Sequence, residues 1–469
     1  MGVTFKAELS VTYPNPPPKT AFTHLIPHQT IAVVSKLQLS SGVVLIDVPI
    51  AYRTWGKLNE DKTNCMVICH ALTGSADVED WWGPLMGPGL AFDPTRYFIF
   101  CANALGSPYG TASPVTTNPQ TGKIWGPDFP LTTPRDDISL QKIILDHLGV
   151  RTVSVVIGGS MGGMTCLEWP LCTPPGYVLN IVPIATSARH SAWGISWGEA
   201  QRQSIYSDPN YMGGYYDEHA PPAIGLAAAR MAALLIYRSR DSLETRFGRK
   251  QQVPKSDAAN LNSVVAETNG TAVVKNDQIQ KATFKALTSC KDNAGSPSQM
   301  ATEQQNGHSI SMASGITSPS QIFSAQSYLR YQGDKFVARF DANCYIHLTL
   351  KLDAHDVDYG RQKPALKNAP TGALVIAIST DGLFTLSEQQ ELANCMPGAR
   401  LEIIQSPEGH DGFLLEFGQI NQIILTHLHK RLGHLYSPPS TDQDLSAPVE
   451  VKVVKSSVFG EAEASITNW

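Results

Sequence analysis

The chain has 469 residues, of which 42% are hydrophobic and only 16% charged, with a formal net charge of −5. That apolar share is ample for a large core, and the length suits either two or three average domains or one long α/β unit. The basic residues form no run that would track a phosphate backbone, and no uninterrupted apolar stretch is long enough to span a bilayer, which argues against nucleic-acid and membrane partners.

Residues 1–30 are Pro-rich and read as a flexible N-terminal arm. They contain neither an apolar signal region nor an Arg-rich amphipathic stretch, so a cytoplasmic location is expected. Residues 31–56 hold two β-rich runs around Ser40-Ser41-Gly42, a hairpin signal. Buried-type strands follow at 65–69, 97–101, 153–157, 179–184, 373–378 and 401–404. Between them lie helical patterns such as 136–148, where Ile138, Ile144, Leu145 and Leu148 carry the apolar face and Gly149 ends it. Strands alternating with helices predict an α/β fold with a mainly parallel sheet flanked by helices on both faces.

The alternation breaks over 187–365. Helical runs are expected there at 224–237, 324–340 and 344–352, and an insertion between late strands of such a sheet commonly covers the active site as a lid. Within it, 249–321 is rich in Ser, Asn, Gln, Thr, Ala and Lys and reads as a disordered excursion. The expected organisation is a core of 31–186 and 366–435, a helical lid of 187–365 and a C-terminal tail of 436–469. Most of the eight cysteines sit in apolar runs and read as buried free thiols. Cys65, Cys69 and His70 fall on one strand and its exit with no second ligand pair, so no metal is expected.

The stretch that carries chemistry is Val155-Val156-Ile157-Gly158-Gly159-Ser160-Met161-Gly162-Gly163-Met164. An apolar strand runs into G-x-S-x-G and then a helix, which is the nucleophile elbow of the α/β-hydrolase fold. Such a serine needs a base and an orienting carboxylate, which follow it in the chain in the order acid, then histidine, in loops after late strands. His410, in Pro407-Glu408-Gly409-His410-Asp411, comes just after the 401–404 strand. Of the nine histidines beyond Ser160, it alone is so placed. The 373–378 strand leads into Ser379-Thr380-Asp381-Gly382, which makes Asp381 the orienter. For the oxyanion hole the fold supplies the amide after the nucleophile, Met161, and one from an early loop. Cys69-His70-Ala71-Leu72-Thr73-Gly74 is that loop, with Leu72 the second donor and His70 a structural residue.

These motifs resemble the homoserine O-acetyltransferase family, particularly its fungal members. The resemblance lies in Cys69–Gly74, Gly158–Met164, Asp341-Ala342-Asn343-Cys344-Tyr345 and Glu408–Asp411, and covers nearly the whole chain. It implies a ping-pong acyltransferase that takes the acetyl group of acetyl-CoA onto Ser160. The acetyl group then passes to the hydroxyl of L-homoserine, on the route to methionine. No bound cofactor is implied, with acetyl-CoA as co-substrate, and the protein is expected to be a homodimer joined through lid helices. In the family an arginine and a tyrosine seven apart lie at the acceptor pocket, a role that falls on Arg230 and Tyr237. Asp411 takes the ammonium-binding role. Arg238 and Arg240 are rivals for the carboxylate anchor. A serine O-acetyltransferase, another acetyl or succinyl transferase of this type, or a plain esterase are the alternatives that the motifs around Ser160 leave open.

Overall fold

The structure is a computed structural model and describes residues 9–252 and 322–436. Strand β1 (Val11–Thr12) lies antiparallel on β2 (Thr30–Gln38), which turns back into β3 (Val44–Trp55). The turn is the expected Ser40-Ser41-Gly42, with Gly42 at φ 88°, where a side chain would be strained. Then β4 (Cys65–Cys69), α1 (Val78–Trp81), β5 (Phe98–Ala102), α2 (Pro134–His147), β6 (Val153–Gly159), α3 (Met161–Cys172) and β7 (Ile181–Ile184) follow. The segment expected as a lid holds α4 (Ala192–Tyr206), α5 (Ala223–Tyr237) and α6 (Arg240–Arg246). Beyond α6, β8 (Gln251–Gln252) pairs antiparallel with β9 (Ile322–Phe323). Two more helices of that segment, α7 (Ser324–Val337) and α8 (Ala342–Asp353), precede β10 (Leu374–Ile378), α9 (Leu386–Cys395), β11 (Arg400–Ile404) and α10 (Phe417–Arg431).

The sheet order is β1-β2-β3-β5-β4-β6-β7-β10-β11. The pairs from β5 to β11 are parallel, and β1, β2 and β3 form an antiparallel margin. Every residue of β4, β5, β6, β7 and β10 is buried, as a sheet covered on both faces requires. Side chains alternate between two cores. Met66, Ile68, Val155 and Ile157 face one side with α10 and the base of the lid. Cys65, Val67, Val153 and Val156 face the other with α2, α3 and α9. Cys65 pairs with Val153 but Met66 with Val155, so Ser154 is an extra residue that shifts the phase of β6 before it reaches the elbow.

Helix boundaries follow local chemistry. Thr133 and Asp136 form a capping box at the start of α2 with Pro134 behind the cap, and Thr385 with Glu388 does the same for α9. The described residues 9–30, read from composition as a flexible arm, make specific contacts with the core. Thr20 Oγ1 donates to the Pro108 carbonyl at 2.7 Å, Gln29 Nε2 to that of Tyr109 at 3.0 Å, and Ile26 is buried. Residues 253–321, most of the expected disordered excursion, and the tail beyond 436 lie outside the described residues. Seven described cysteines are free thiols, five of them buried. No helix among the described residues is long and apolar enough to cross a membrane.

Lid and core are tied by a buried ion pair. Lys351 of α8, fully buried, donates to Asp137 Oδ2 of α2 at 2.6 Å and to the Leu105 carbonyl at 2.9 Å, while the Leu105 amide donates to Asp137 Oδ1 at 2.7 Å. Removing one partner strands the other charge in the interior. Lys351→Met is therefore expected to cost about 3–5 kcal/mol of stability, read as a lower denaturant midpoint. Lys351→Met/Asp137→Leu should recover part of it.

Candidate active site

Ser160 stands at the break between β6 and α3 with φ 58° and ψ −124°, a conformation that L-residues rarely hold. Its surroundings fix it there. The Ser160 amide donates to the Ile184 carbonyl at 3.0 Å, and Thr186 Oγ1 donates to the Ser160 carbonyl at 2.9 Å. The following turn needs glycine at 162, because a Cβ there would run into the carbonyls of Cys69 and His70 at the end of β4. Elbow and early loop are therefore in direct contact, and that contact brings the Leu72 loop to the serine.

The other two members arrive from the far side of the sheet. Asp381 follows β10, and His410 lies in a short 3-10 turn, Gly409–Leu414, after β11. His410 Nε2 is 2.9 Å from Ser160 Oγ, and Nδ1 is 2.8 Å from Asp381 Oδ2. Asp381 Oδ1 accepts from the Leu383 and Phe384 amides at 2.8 and 2.9 Å, so the carboxylate is held from both oxygens. All three residues are more than nine-tenths buried. The imidazole packs among the rings of Phe384, Phe413 and Tyr237, with centroids 5.3, 5.1 and 5.8 Å away. With Asp381 accepting, Nδ1 carries the hydrogen and Nε2 is left to accept from the serine. Burial disfavours the charged ring. The charge and hydrogen bond of Asp381, helped by Asp411, outweigh it and raise the His410 pKa above its ordinary 6.5.

Ser160, His410, Leu72, Arg230, Tyr237 and Asp411 line one pocket, so the positions singled out in the sequence converge. Of the other two, Asp381 stands behind the His410 ring, and Met161 is the first residue of α3, immediately after the serine. Among the described residues neither the Leu72 nor the Met161 amide has a hydrogen-bond acceptor, leaving both available to an oxyanion. Arg230 is buried, with its guanidinium 5.3 Å from the centre of the Phe336 ring. Of its rivals, Arg240 is exposed at the start of α6. Arg238 donates to Glu408 at 2.7 Å and forms an ion pair with Asp411 at 2.8 Å.

That bridge by Arg238 is not foreseeable from sequence, since its partners lie about 170 positions away. It clamps the histidine loop to the lid, together with Arg246 and Ser242, which bond Glu408 at 2.8 and 2.6 Å. Two of the other histidines that follow Ser160 have structural settings: His347 Nε2 meets Thr132 Oγ1 at 2.8 Å, and His355 Nε2 meets the Ser187 carbonyl at 3.1 Å. Among the described residues no group of three His, Cys, Asp or Glu could hold a metal.

A serine, histidine and aspartate joined in line on a parallel sheet, with the serine on a strained strand-to-helix turn, define an α/β-hydrolase-fold protein. The family model described as the alpha/beta hydrolase fold matches residues 64–417. Homoserine O-acetyltransferases of Cryptococcus neoformans var. grubii and Emericella nidulans are 49% and 50% identical to this chain. The matches cover 94% and 96% of it, and 96% and 97% of those proteins. The chain belongs to the homoserine O-acetyltransferase family. A solved homoserine O-acetyltransferase from Bacillus anthracis shares the fold, with a TM-score of 0.66 at 20% identity, covering 85% of this chain and 97% of that one.

Proposed function

We propose that this protein moves the acetyl group of acetyl-CoA to the side-chain hydroxyl of L-homoserine through an acetyl-serine at Ser160, giving O-acetyl-L-homoserine and CoA for methionine biosynthesis. The observation that carries this reading is the hydrogen-bonded line Ser160–His410–Asp381 in a pocket also lined by a buried arginine. The relatives' shared name supplies the acceptor.

In the first half-reaction, His410 Nε2 takes the proton of Ser160 Oγ as that oxygen attacks the thioester carbonyl. The Leu72 and Met161 amides receive the oxyanion, the second of them at the positive end of α3. Collapse breaks the C–S bond, and His410 returns its proton to the departing thiolate. In the second, the acceptor hydroxyl gives its proton to His410 and attacks the acetyl carbon; collapse breaks the bond to Ser160 Oγ, and His410 passes the proton to that oxygen, restoring Ser160. Arg230 suits the acceptor carboxylate because its planar fork binds both oxygens, with Tyr237 two turns along on the same face of α5. Asp411 takes the ammonium. Its carboxylate lies in the same pocket as Ser160 and Arg230 and is paired with Arg238. Large apolar side chains exposed on the lid, including Trp193, Met212, Ile224 and Leu235, support association of two copies through it.

The deciding assay is CoA release from acetyl-CoA with homoserine, with serine and with water alone. Homoserine should exceed serine by about 10–200-fold, the range one methylene commands in a fitted pocket. Equal rates with homoserine and water would instead identify an esterase. Arg230→Ala should raise the homoserine KM about 10- to 100-fold, the worth of a charge-assisted hydrogen bond, and leave that for acetyl-CoA little changed. Equal effects on both would remove Arg230 from the acceptor site.

A further inference from the structure

The Leu72 amide shares a peptide unit with the Ala71 carbonyl. A trans peptide is planar, and its C=O and N–H point in opposite directions. Whatever fixes the Ala71 carbonyl therefore aims the Leu72 N–H. Two donors hold that carbonyl: the Gly74 amide at 3.0 Å and His70 Nδ1 at 2.8 Å.

The imidazole of His70 is itself held. Its Nε2 accepts from the Ala104 amide at 2.9 Å, which leaves the hydrogen on Nδ1. Ala104 is anchored in turn, because the next residue is Leu105, bound through its amide and carbonyl to the Asp137–Lys351 pair. His70 is buried. That burial, aided by the charge of Lys351 and opposed by the bond to Ala71, brings its pKa down to about 4, so the ring stays neutral in this tautomer around neutral pH. Across the loop, Gly162 abuts the Cys69 and His70 carbonyls. The spacing between the Leu72 loop and the Met161 end of α3 is thereby set by backbone contact.

We propose that His70 is a positioning residue of acetyl transfer: its Nδ1–H locks the Ala71–Leu72 peptide plane so that the Leu72 N–H points at the oxyanion formed on Ser160. The bond to Ala71 also polarises the peptide, making the Leu72 N–H a better donor. His70 moves no proton, since both ring nitrogens are engaged in the resting enzyme. This role rests on the reading of Ser160 as nucleophile and Leu72 as oxyanion donor.

The role separates two conservative variants. His70→Asn places an amide N–H where Nδ1 stood and keeps the donor to Ala71. His70→Gln puts its amide near the Nε2 position and loses that donor. An oxyanion forms in both half-reactions. His70→Gln and His70→Ala should therefore slow acetyl-enzyme formation from acetyl-CoA and its discharge by homoserine by similar factors, about 10- to 100-fold, somewhat less than outright loss of a donor. The homoserine KM should stay within about twofold, since uniform binding is untouched. His70→Asn should recover most of the rate. Equal activity of the Gln and Asn variants would overturn the proposal. So would an effect on one half-reaction alone, or a loss that follows the thermal midpoint across all three variants. Ser160→Ala, run beside them, tests the underlying reading: an acetyl adduct that persists there refutes it. If that adduct vanishes while His70→Gln acylates at the normal rate, only the role of His70 fails.

Discussion

Ser160→Ala is expected to lower homoserine-dependent CoA release by about 10⁶-fold, the loss that follows removal of a triad nucleophile. The substitution deletes the only atom of residue 160 within bonding distance of His410 Nε2, at 2.9 Å. The backbone supports of the elbow, the Ser160 amide to Ile184 and Thr186 to the Ser160 carbonyl, do not involve the hydroxyl. Alanine meets the same conformational cost at φ 58° as serine, so the thermal midpoint should hold while activity disappears. Mass spectrometry after incubation with acetyl-CoA alone gives the direct readout: an acetylated wild type and an unmodified variant. An acetyl group found on another residue of the variant would move the nucleophile elsewhere.

What made Ser160, Asp381 and His410 legible in the sequence is that each follows a short strand rich in aliphatic residues, β6, β10 or β11, and the order of strands and the loops after them survives errors of a residue or two in the boundaries. The 97–101 and 179–184 runs begin early because Tyr97 and Leu179 are apolar. Tyr97, however, spends its hydroxyl on Tyr436 at 2.9 Å and stands just before β5, while β7 begins two residues after Leu179. Helix α4 was not foreseen as an element. Its apolar residues are spread around its circumference, with Trp193 and Ile195 exposed, so it shows no clean stripe. The Pro-rich start misleads for a different reason: Thr20 and Gln29 dock through hydrogen bonds rather than apolar periodicity, a kind of order that composition does not reveal. The same limit hides the residues that tune the site. Arg238 reaches Glu408 and Asp411, Arg339 donates to the Thr73 carbonyl at 3.0 Å, and His70 reaches Ala104, all through contacts that exist only after the sheet has closed. Motifs locate the atoms that react, whereas the groups that aim those atoms come from distant segments and carry no local pattern.

Asp381→Asn tests that aiming at the histidine, and its expected cost is about 10⁴-fold in kcat. Asp381 Oδ1 accepts two backbone amides, from Leu383 and Phe384. An asparagine in its place keeps its oxygen toward those donors and turns its NH₂ toward His410 Nδ1. The ring must then accept at Nδ1 and carry its hydrogen on Nε2, and Nε2 can no longer receive the proton of Ser160. A second consequence concerns pH. The ionisable groups at the ring are Asp381, Asp411 and Tyr237, with Ser160 at Nε2. Burial lowers the His410 pKa, and the charge and hydrogen bond of Asp381 are the largest influences raising it. A base works only when neutral, so wild-type activity falls on the acid side as pH drops through this raised value. Removing Asp381 lets burial prevail, leaving Asp411, whose charge is shared with Arg238, as the remaining carboxylate beside the ring. The acid limb of kcat/KM should therefore move to lower pH in Asp381→Asn, even as the rate collapses at every pH. A large rate loss with an unmoved acid limb would mean that another group titrates in that limb, and near-normal activity would assign the orienting role to Asp411 instead.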